Sequence, residues 1–312
     1  MPDRLVCCGL TTLDVTQVLD RLPAPDEKVV ADGLDVTFGG PAANAAAVAV
    51  GLGVPTTLVT ALGTGAPADV VRAGLAAAGV DVLDLVPDQP GVLPVSTVLV
   101  TRATGERAVV SVNGARVARL PRPDADLLAR AGALLVDGHH PDAARALAGA
   151  ARAAGVPVLL DGGSWKPATA DLLAVVDLAV LSADFTVPGL AAGDERDVGA
   201  HVSGEAVDAL LDDVAARGPW FVARSAGAGP VRVRRAPAGG PAVRTWLRPL
   251  AVPADDVVDT LGAGDVLHGA MAAALARGAD ALESLGEGVR CATASVRHPG
   301  ARGWLVTPGD VV

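Results

Sequence analysis

The run Asp259-Thr260-Leu261-Gly262-Ala263-Gly264-Asp265 leads into the small and apolar residues Val266 to Gly278, and its residue types point to chemistry. After the glycines nearly every residue is a good helix former on all sides, so a buried helix ending at Gly278, with Arg277 in its last turn, is expected. The first N–H groups of such a helix lack intrahelical acceptors and point outward beside small residues. An anion fits there, favoured by both the free donors and the helix dipole. Asp265 in the same turn sets a carboxylate beside that anion. A carboxylate so placed can take the proton of an attacking hydroxyl while the amides of 262–264 hold the charge of a transferring phosphoryl group. A lone Asp in a first turn more often only complements the dipole; the preceding Gly-Ala-Gly favours chemistry here.

The rest of the composition removes competing chemistries. Lys28 and Lys166 are the only lysines, and neither follows a glycine loop as a Walker-type phosphate loop or a protein kinase would need. There is no tyrosine for a Tyr/Lys reductase, no H-E-x-x-H among the five histidines, and no G-x-S-x-G. A net charge of −10 argues against nucleic-acid and anionic-membrane partners. Cys7, Cys8 and Cys291 are too few and too badly spaced for a zinc site or a disulfide framework, so a reducing cytoplasm is the expected location. The chain opens on a strand-like run without the marks of a signal peptide, and the apolar stretch Ala42 to Leu52 is too short to span a bilayer.

These residues need a scaffold, and the hydrophobic pattern supplies one. Leu5–Leu10, Thr57–Leu62, Ala133–Asp137, Val156–Asp161, Leu178–Ser182 and Trp220–Arg224 are apolar nearly throughout, as parallel strands covered on both faces are. Between them lie helix patterns at Pro67–Ala78, Pro141–Ala154 and Glu205–Arg217, each followed by glycine. The alternation predicts an α/β fold, a three-layer α/β/α sandwich on a mostly parallel sheet. Residues 15–38 and 95–112 break the rhythm and read as β pairs forming a small sheet off the main body, the second pair turning at Ala103-Thr104-Gly105-Glu106. Arg232–Arg235 and Val243–Trp246, joined through Pro237-Ala238-Gly239-Gly240, read as a further hairpin.

Asp259 to Ala270 resembles the C-terminal signature of the ribokinase-like carbohydrate kinases, the pfkB family, and Gly39-Gly40-Pro41-Ala42-Ala43-Asn44 resembles its N-terminal Gly-Gly-x-x-x-Asn signature. Val258–Asp265 and Gly9–Val15 are most similar to ketohexokinases within that family. The resemblance covers residues 1–312 as one kinase domain, with 15–38 and 95–112 where the family carries its lid. It implies an ATP- and Mg²⁺-dependent sugar kinase in which Asp265 is the base and Gly262, Ala263 and Gly264 form the anion hole. Asp14, at the end of the first strand, matches the acid that binds sugar hydroxyls, joined by Gly39, Gly40 and Asn44. Elementary chemistry agrees, since a carboxylate accepts from vicinal hydroxyls and an Asn amide both donates and accepts. His139 matches a sugar contact, Lys166 a basic residue aimed at the transferring phosphate, and Gly227, Gly229 and Thr260 nucleotide contacts. For His139, Lys166 and the two glycines the alternatives are an ordinary surface residue and a plain turn.

Two departures stand beside these matches. The family's Asn-x-x-Glu run, which organises magnesium, reads Ser182-Ala183-Asp184-Phe185 here, so no metal ligand is assigned. Its Gly-Asp-Asp after the third strand reads Gly63-Thr64-Gly65. A nucleoside kinase would need Phe38 or Trp165 as a stacking platform, and a phosphofructokinase-type acceptor would need Arg102 and Arg107. A catalytically silent binding protein on the same scaffold is the third reading, and a homodimer through the lid edges the expected assembly.

Overall fold

In the computed structural model, residues 4–102, 107–112, 119–190, 203–236 and 240–306 are described. The expected turns at 103–106 and 237–239 lie outside them. The first third of the chain contains β1 (Arg4–Cys8), β2 (Thr12–Leu19), β3 (Gly33–Gly39), α1 (Pro41–Gly51), β4 (Thr56–Thr60), α2 (Ala66–Ala77), β5 (Asp81–Asp84) and β6 (Val95–Thr101). Then come β7 (Arg107–Ser111), β8 (Ala131–Val136), α3 (Pro141–Ala153), β9 (Val158–Gly162), α4 (Thr169–Leu173), β10 (Leu178–Leu181), α5 (Gly204–Ala216) and β11 (Phe221–Ala226). Strands β12 (Gly229–Arg235) and β13 (Val243–Leu247) and helices α6 (Ala263–Ala276) and α7 (Ala281–Ser295) complete the set.

Nine strands form one sheet in the order β13-β12-β11-β10-β9-β8-β1-β4-β5, parallel except where β12 and β13 add antiparallel at one edge. Side chains alternate between its faces, as a strand's period of two requires. Leu5, Cys7, Ala133 and Leu135 join the core under α1, α6 and α7, whereas Val6, Cys8, Leu134 and Val136 join the core under α3 and α5. Continuous apolar runs are the consequence of that double cover, and the result is the expected three-layer sandwich. The order reverses direction between β1 and β8, the position at which open α/β sheets leave a crevice beyond the strand ends.

Alanine and glycine let the helices that carry the two motifs approach closely. A Cβ on Gly269 of α6 would lie 2.6 Å from the Ala45 carbonyl oxygen of α1, and one on Gly288 of α7 would lie 2.5 Å from that of Leu267. Helix α7 escaped the pattern reading because Gly286 and Gly288 interrupt it; its capping Asp280 accepts from Leu282 N at 2.8 Å and Glu283 N at 2.9 Å.

The extended pairs form a separate four-stranded sheet, β3-β2-β6-β7. It starts earlier than expected. Strand β1 stops at Cys8 rather than Leu10, because the backbone of Gly9 presses on the Asp137 carboxylate and Leu10 N turns to donate to it at 2.8 Å. The chain then re-enters as β2 at Thr12, so Asp14 lies on the small sheet and not at the end of the first strand. No helix among the described residues is long and apolar enough to cross a membrane.

Candidate active site

Helix α6 is entered through Gly262, whose φ of 75° is the left-handed conformation that suits glycine, and a Cβ there would lie 2.5 Å from that of Ala301. Asp259 holds this loop at both ends: one carboxylate oxygen accepts from Leu261 N at 2.8 Å and the other from Gly300 N at 2.9 Å. The first-turn amides of Ala263, Gly264 and Asp265 lie where a helix has no internal acceptors to offer them. Asp265 is the third helical residue, and its carboxylate accepts from Asn44 Nδ2 at 2.6 Å. Helix α1, entered through Gly40 at φ 96° with Pro41 at its first position, puts Asn44 one turn inside. The two distant motifs thus meet in a direct hydrogen bond.

Two further carboxylates lie beneath. Asp137, after β8, accepts from Leu10 N at 2.8 Å, Ala42 N at 3.3 Å and His139 N at 2.9 Å, and so staples the β1 end, the α1 start and its own loop together. Its burial opposes ionisation, but the neighbouring His139 and these N–H donors outweigh burial and hold the carboxyl well below the usual range. Asp161, at the end of β9, is raised by burial against the pull of His268. His268 of α6 lies with Nδ1 2.7 Å from the Gly264 carbonyl oxygen and 3.5 Å from Asp161 Oδ2, and with Nε2 3.1 Å from the Val180 carbonyl oxygen. Burial, then the charges of Asp161 and Asp137, push Asp265 up to about 7 despite the Asn44 hydrogen bond and His268. A carboxylate titrating there is poised to accept a proton near neutral pH.

The small sheet and the loops after β8, β9 and β11 hold the remaining expected residues. Asp14 accepts from Thr12 Oγ1 at 2.6 Å and pairs in register with Thr37 and Ser96 on one face of the small sheet. Gly39 is required beside it, since a Cβ there would meet the Asp14 carboxylate at 1.9 Å. His139 turns inward, its Nδ1 3.3 Å from Asp137 Oδ1. Lys166 follows β9 at the same sheet edge, with Nζ 3.5 Å from the Asp137 carbonyl oxygen and 3.4 Å from that of Ser164. Gly227 and Gly229 form the tight turn between β11 and β12, Gly227 at φ 55°. Thr260 Oγ1 accepts from Arg107 of β7, so the small sheet reaches across to the glycine loop. Arg102 instead pairs with Asp20 and Asp32, away from that loop.

Sequence reasoning missed Asp137, Asp161, His268 and Arg302 as members of the cluster. The first two carry a legible signal, an acid closing an apolar strand at the ligand-binding edge, the rule applied to Asp14. Neither His268, inside a helix, nor Arg302, near the C-terminal end of the described chain, carries one.

A family model described as pfkB family carbohydrate kinase matches residues 2–307, and the chain belongs to that family. It is a ribokinase-like sugar kinase, a phosphotransferase with a hydroxyl acceptor. A ribokinase of Arabidopsis thaliana is 28% identical over 307 residues, covering 95% of this chain and 77% of the relative. An ATP-dependent ribose-1-phosphate kinase of Halopiger xanaduensis is 32% identical over 161 residues, about half of each chain (51% and 54%). Among solved structures, Arabidopsis ribokinase complexed with ribose and ATP superposes with a TM-score of 0.72 at 24% identity over 98% of both chains. Escherichia coli phosphofructokinase-2 in complex with potassium superposes with a TM-score of 0.71 at 20% identity over 97% of this chain and 95% of that one. At these identities the superpositions show the fold.

The raised Asp265 predicts an unusual stability profile. Below roughly pH 4, the ordinary Asp value, both folded and unfolded chains hold this proton and it contributes nothing. Between there and about 7 the unfolded chain releases the proton while the folded one retains it, so stability falls as pH rises and then levels off. Asp265→Asn removes that penalty. Urea unfolding of variant and wild type at about pH 4 and pH 8 is expected to show the variant gaining a few kcal/mol relative to wild type at the higher pH. An equal offset at both values would contradict the raised carboxyl.

Proposed function

We propose that the chain transfers the γ-phosphate of ATP to a hydroxyl of a small monosaccharide, a pentose or ketohexose, with Asp265 as general base. The observation that carries this reading is the Asn44–Asp265 hydrogen bond of 2.6 Å at the start of α6. It puts a proton acceptor and an amide suited to a polyol at a helix start whose first-turn N–H groups have no acceptor inside the helix. Asp265 removes the hydroxyl proton, the oxygen attacks the γ-phosphorus in line, the bond from that phosphorus to the β,γ-bridging oxygen breaks with ADP as the leaving group, and the amides of Gly262, Ala263 and Gly264 hold the charge on the phosphoryl oxygens. Asp14, Gly39, Gly40, Asn44 and His139 surround the sugar. Lys166, Thr260, Gly227 and Gly229 serve the nucleotide. No group of three or more His, Cys, Asp or Glu able to hold a metal occurs among the described residues. Magnesium would enter with the nucleotide, held by its phosphates and by water, and would offset charge on the phosphoryl oxygens.

Both candidate stacking platforms for a nucleoside base are covered. Arg302 lies over Phe38 with Cζ 3.7 Å from the ring centre, and Trp165 packs edge-on against Phe185 under Arg217. A small polyol suits such a site better. A second reading, a phosphorylated sugar as acceptor, is favoured by Arg107 against Thr260 and 3.9 Å from Asp259; the partial likeness to a ribose-1-phosphate kinase points the same way. Release of ADP across pentoses, ketohexoses, their phosphates and nucleosides separates the readings. Turnover of a free sugar by wild type, none by Asp265→Asn, and retained ATP binding by that variant are expected. Wild-type-like turnover by Asp265→Asn would sink the mechanism.

The whole chain is read as one cytoplasmic kinase unit with the small sheet as its lid. That sheet has two unlike faces. The row Thr37-Asp14-Ser96-Ser111 is polar and belongs to the side where Thr37 meets Arg302, whereas the row Val36-Val15-Thr97-Val110 is largely apolar and lies opposite. On that opposite side Leu34 and Val110 are 68% and 73% exposed. An apolar sheet face of this kind is best covered by a second copy of the chain. Sedimentation at micromolar concentration is expected to show a dimer for wild type and a monomer for Val110→Glu. A monomeric wild type would overturn the lid dimer.

A further inference from the structure

Arg302 follows α7 and is distant in sequence from every residue assigned above, yet it reaches the centre of the cluster. One end of its guanidinium donates to Asn44 Oδ1. The other donates to Thr37 Oγ1 at 2.8 Å and to the Phe38 carbonyl oxygen at 3.0 Å, and the group is stacked on the Phe38 ring. It therefore joins the C-terminal end of β3, where the small sheet meets the body, to the helix that carries Asn44.

The chemistry of the two side chains makes this contact directional. A guanidinium has five donors and no acceptor, whereas a primary amide has one face of each kind. With Arg302 on one side, Asn44 must turn Oδ1 toward it. Nδ2 is then left facing Asp265 Oδ2, where it stands at 2.6 Å. Donation from an amide favours the ionised carboxylate, the form able to accept a proton. A flipped amide would set oxygen against oxygen and favour the protonated acid instead.

We infer that Arg302 is a positioning residue of the phosphoryl-transfer site: it fixes the orientation of the Asn44 amide, keeps its N–H on Asp265, and ties that arrangement to strand β3. The inference rests on the reading of Asp265 as base. Other charged or titratable groups face this pair from every side. Asp161 approaches from β9, Asp137 from the β8 end, and His268 from α6 itself; Asp14 and Asp35 of the small sheet face Arg302, and Arg302 and Asp265 also attract each other directly. None of them bonds the Asn44 amide, whose hydrogen-bond partners among the described residues are Arg302 and Asp265.

The test reads Asp265 directly. The carboxyl carbon of Asp265 is followed by NMR titration without substrate, its resonance assigned by Asp265→Asn, in wild type, Arg302→Gln and Arg302→Lys. Glutamine can donate or accept and no longer dictates the flip; lysine still only donates. Arg302→Gln is expected to raise the midpoint by about half a pH unit, with about a threefold loss of kcat/KM on the acid limb, and Arg302→Lys to restore most of it. In an Asn44→Ala background only the loss of the Arg302 charge acts on Asp265, so Arg302→Gln is expected to shift the midpoint much less than it does with Asn44 present. A midpoint unchanged by Arg302→Gln, or a shift just as large without Asn44, would overturn the proposal. If Arg302→Gln does not fold, the wild-type protein still decides: Asn44 Nδ2 protons are expected to show cross-peaks to Asp265 and not to the Arg302 guanidinium, and the reverse pattern overturns it. Because the titration needs no turnover, activity surviving in Asp265→Asn would dismiss the base while leaving this result to stand alone.

Discussion

Three carboxylates share one crevice between β1 and β8, and the architecture of the site follows from how each is compensated. Asp137 receives three backbone N–H groups and remains ionised, so the loops that donate them cannot drift apart without exposing a buried charge. Asp161 has His268 at its side. Asp265 receives one amide and two unfavourable neighbours, and is the member left close to changing its protonation state. Asp137 holds the frame, Asp161 is raised by its burial beside His268, and Asp265 is the proposed proton acceptor.

The same frame explains how a chain with two lysines can handle phosphate. In the proposed reaction, charge is met by backbone amides at the start of α6, a helix that lies against α1 and α7 at backbone distance. Gly269 and Gly288 make that approach possible, and the alanines of α1 continue it. Many of the 37 glycines are thus tied to close packing or to left-handed turns rather than to flexibility. The scarcity of lysine and the abundance of small residues describe one solution to one problem.

Much of this was legible in the sequence. The double-sided sheet was readable from unbroken apolar runs, and the glycine loop from its residue types. The segments carrying Asp265 and Asn44 were visible separately, although only folding shows that the side chains bond. What escaped the pattern was of two physical kinds. Boundaries moved where a side chain from elsewhere captured the backbone, as Asp137 does at Leu10, which is why Asp14 lies on the small sheet. Site members without a local mark were invisible: His268 reads as one more helix residue, and Arg302 as a basic residue among others. Their significance lies in partners that are remote along the chain, Val180 and Asp161 for one, Asn44 and Thr37 for the other.

In the proposed reaction the Asp265 carboxylate, which titrates near neutrality, takes the proton of the acceptor hydroxyl. Single-turnover phosphoryl transfer, followed from about pH 5.5 to pH 9 in wild type and in Asp265→Asn, tests it most directly. Titration of the nucleotide's own phosphate is common to both proteins, so the difference between their profiles belongs to residue 265. The wild-type rate is expected to fall about tenfold per pH unit below a midpoint of about 7 and to level off above it, with the variant showing only a residual rate without that limb. A wild-type profile flat across this range, or one the variant reproduces, would contradict the account.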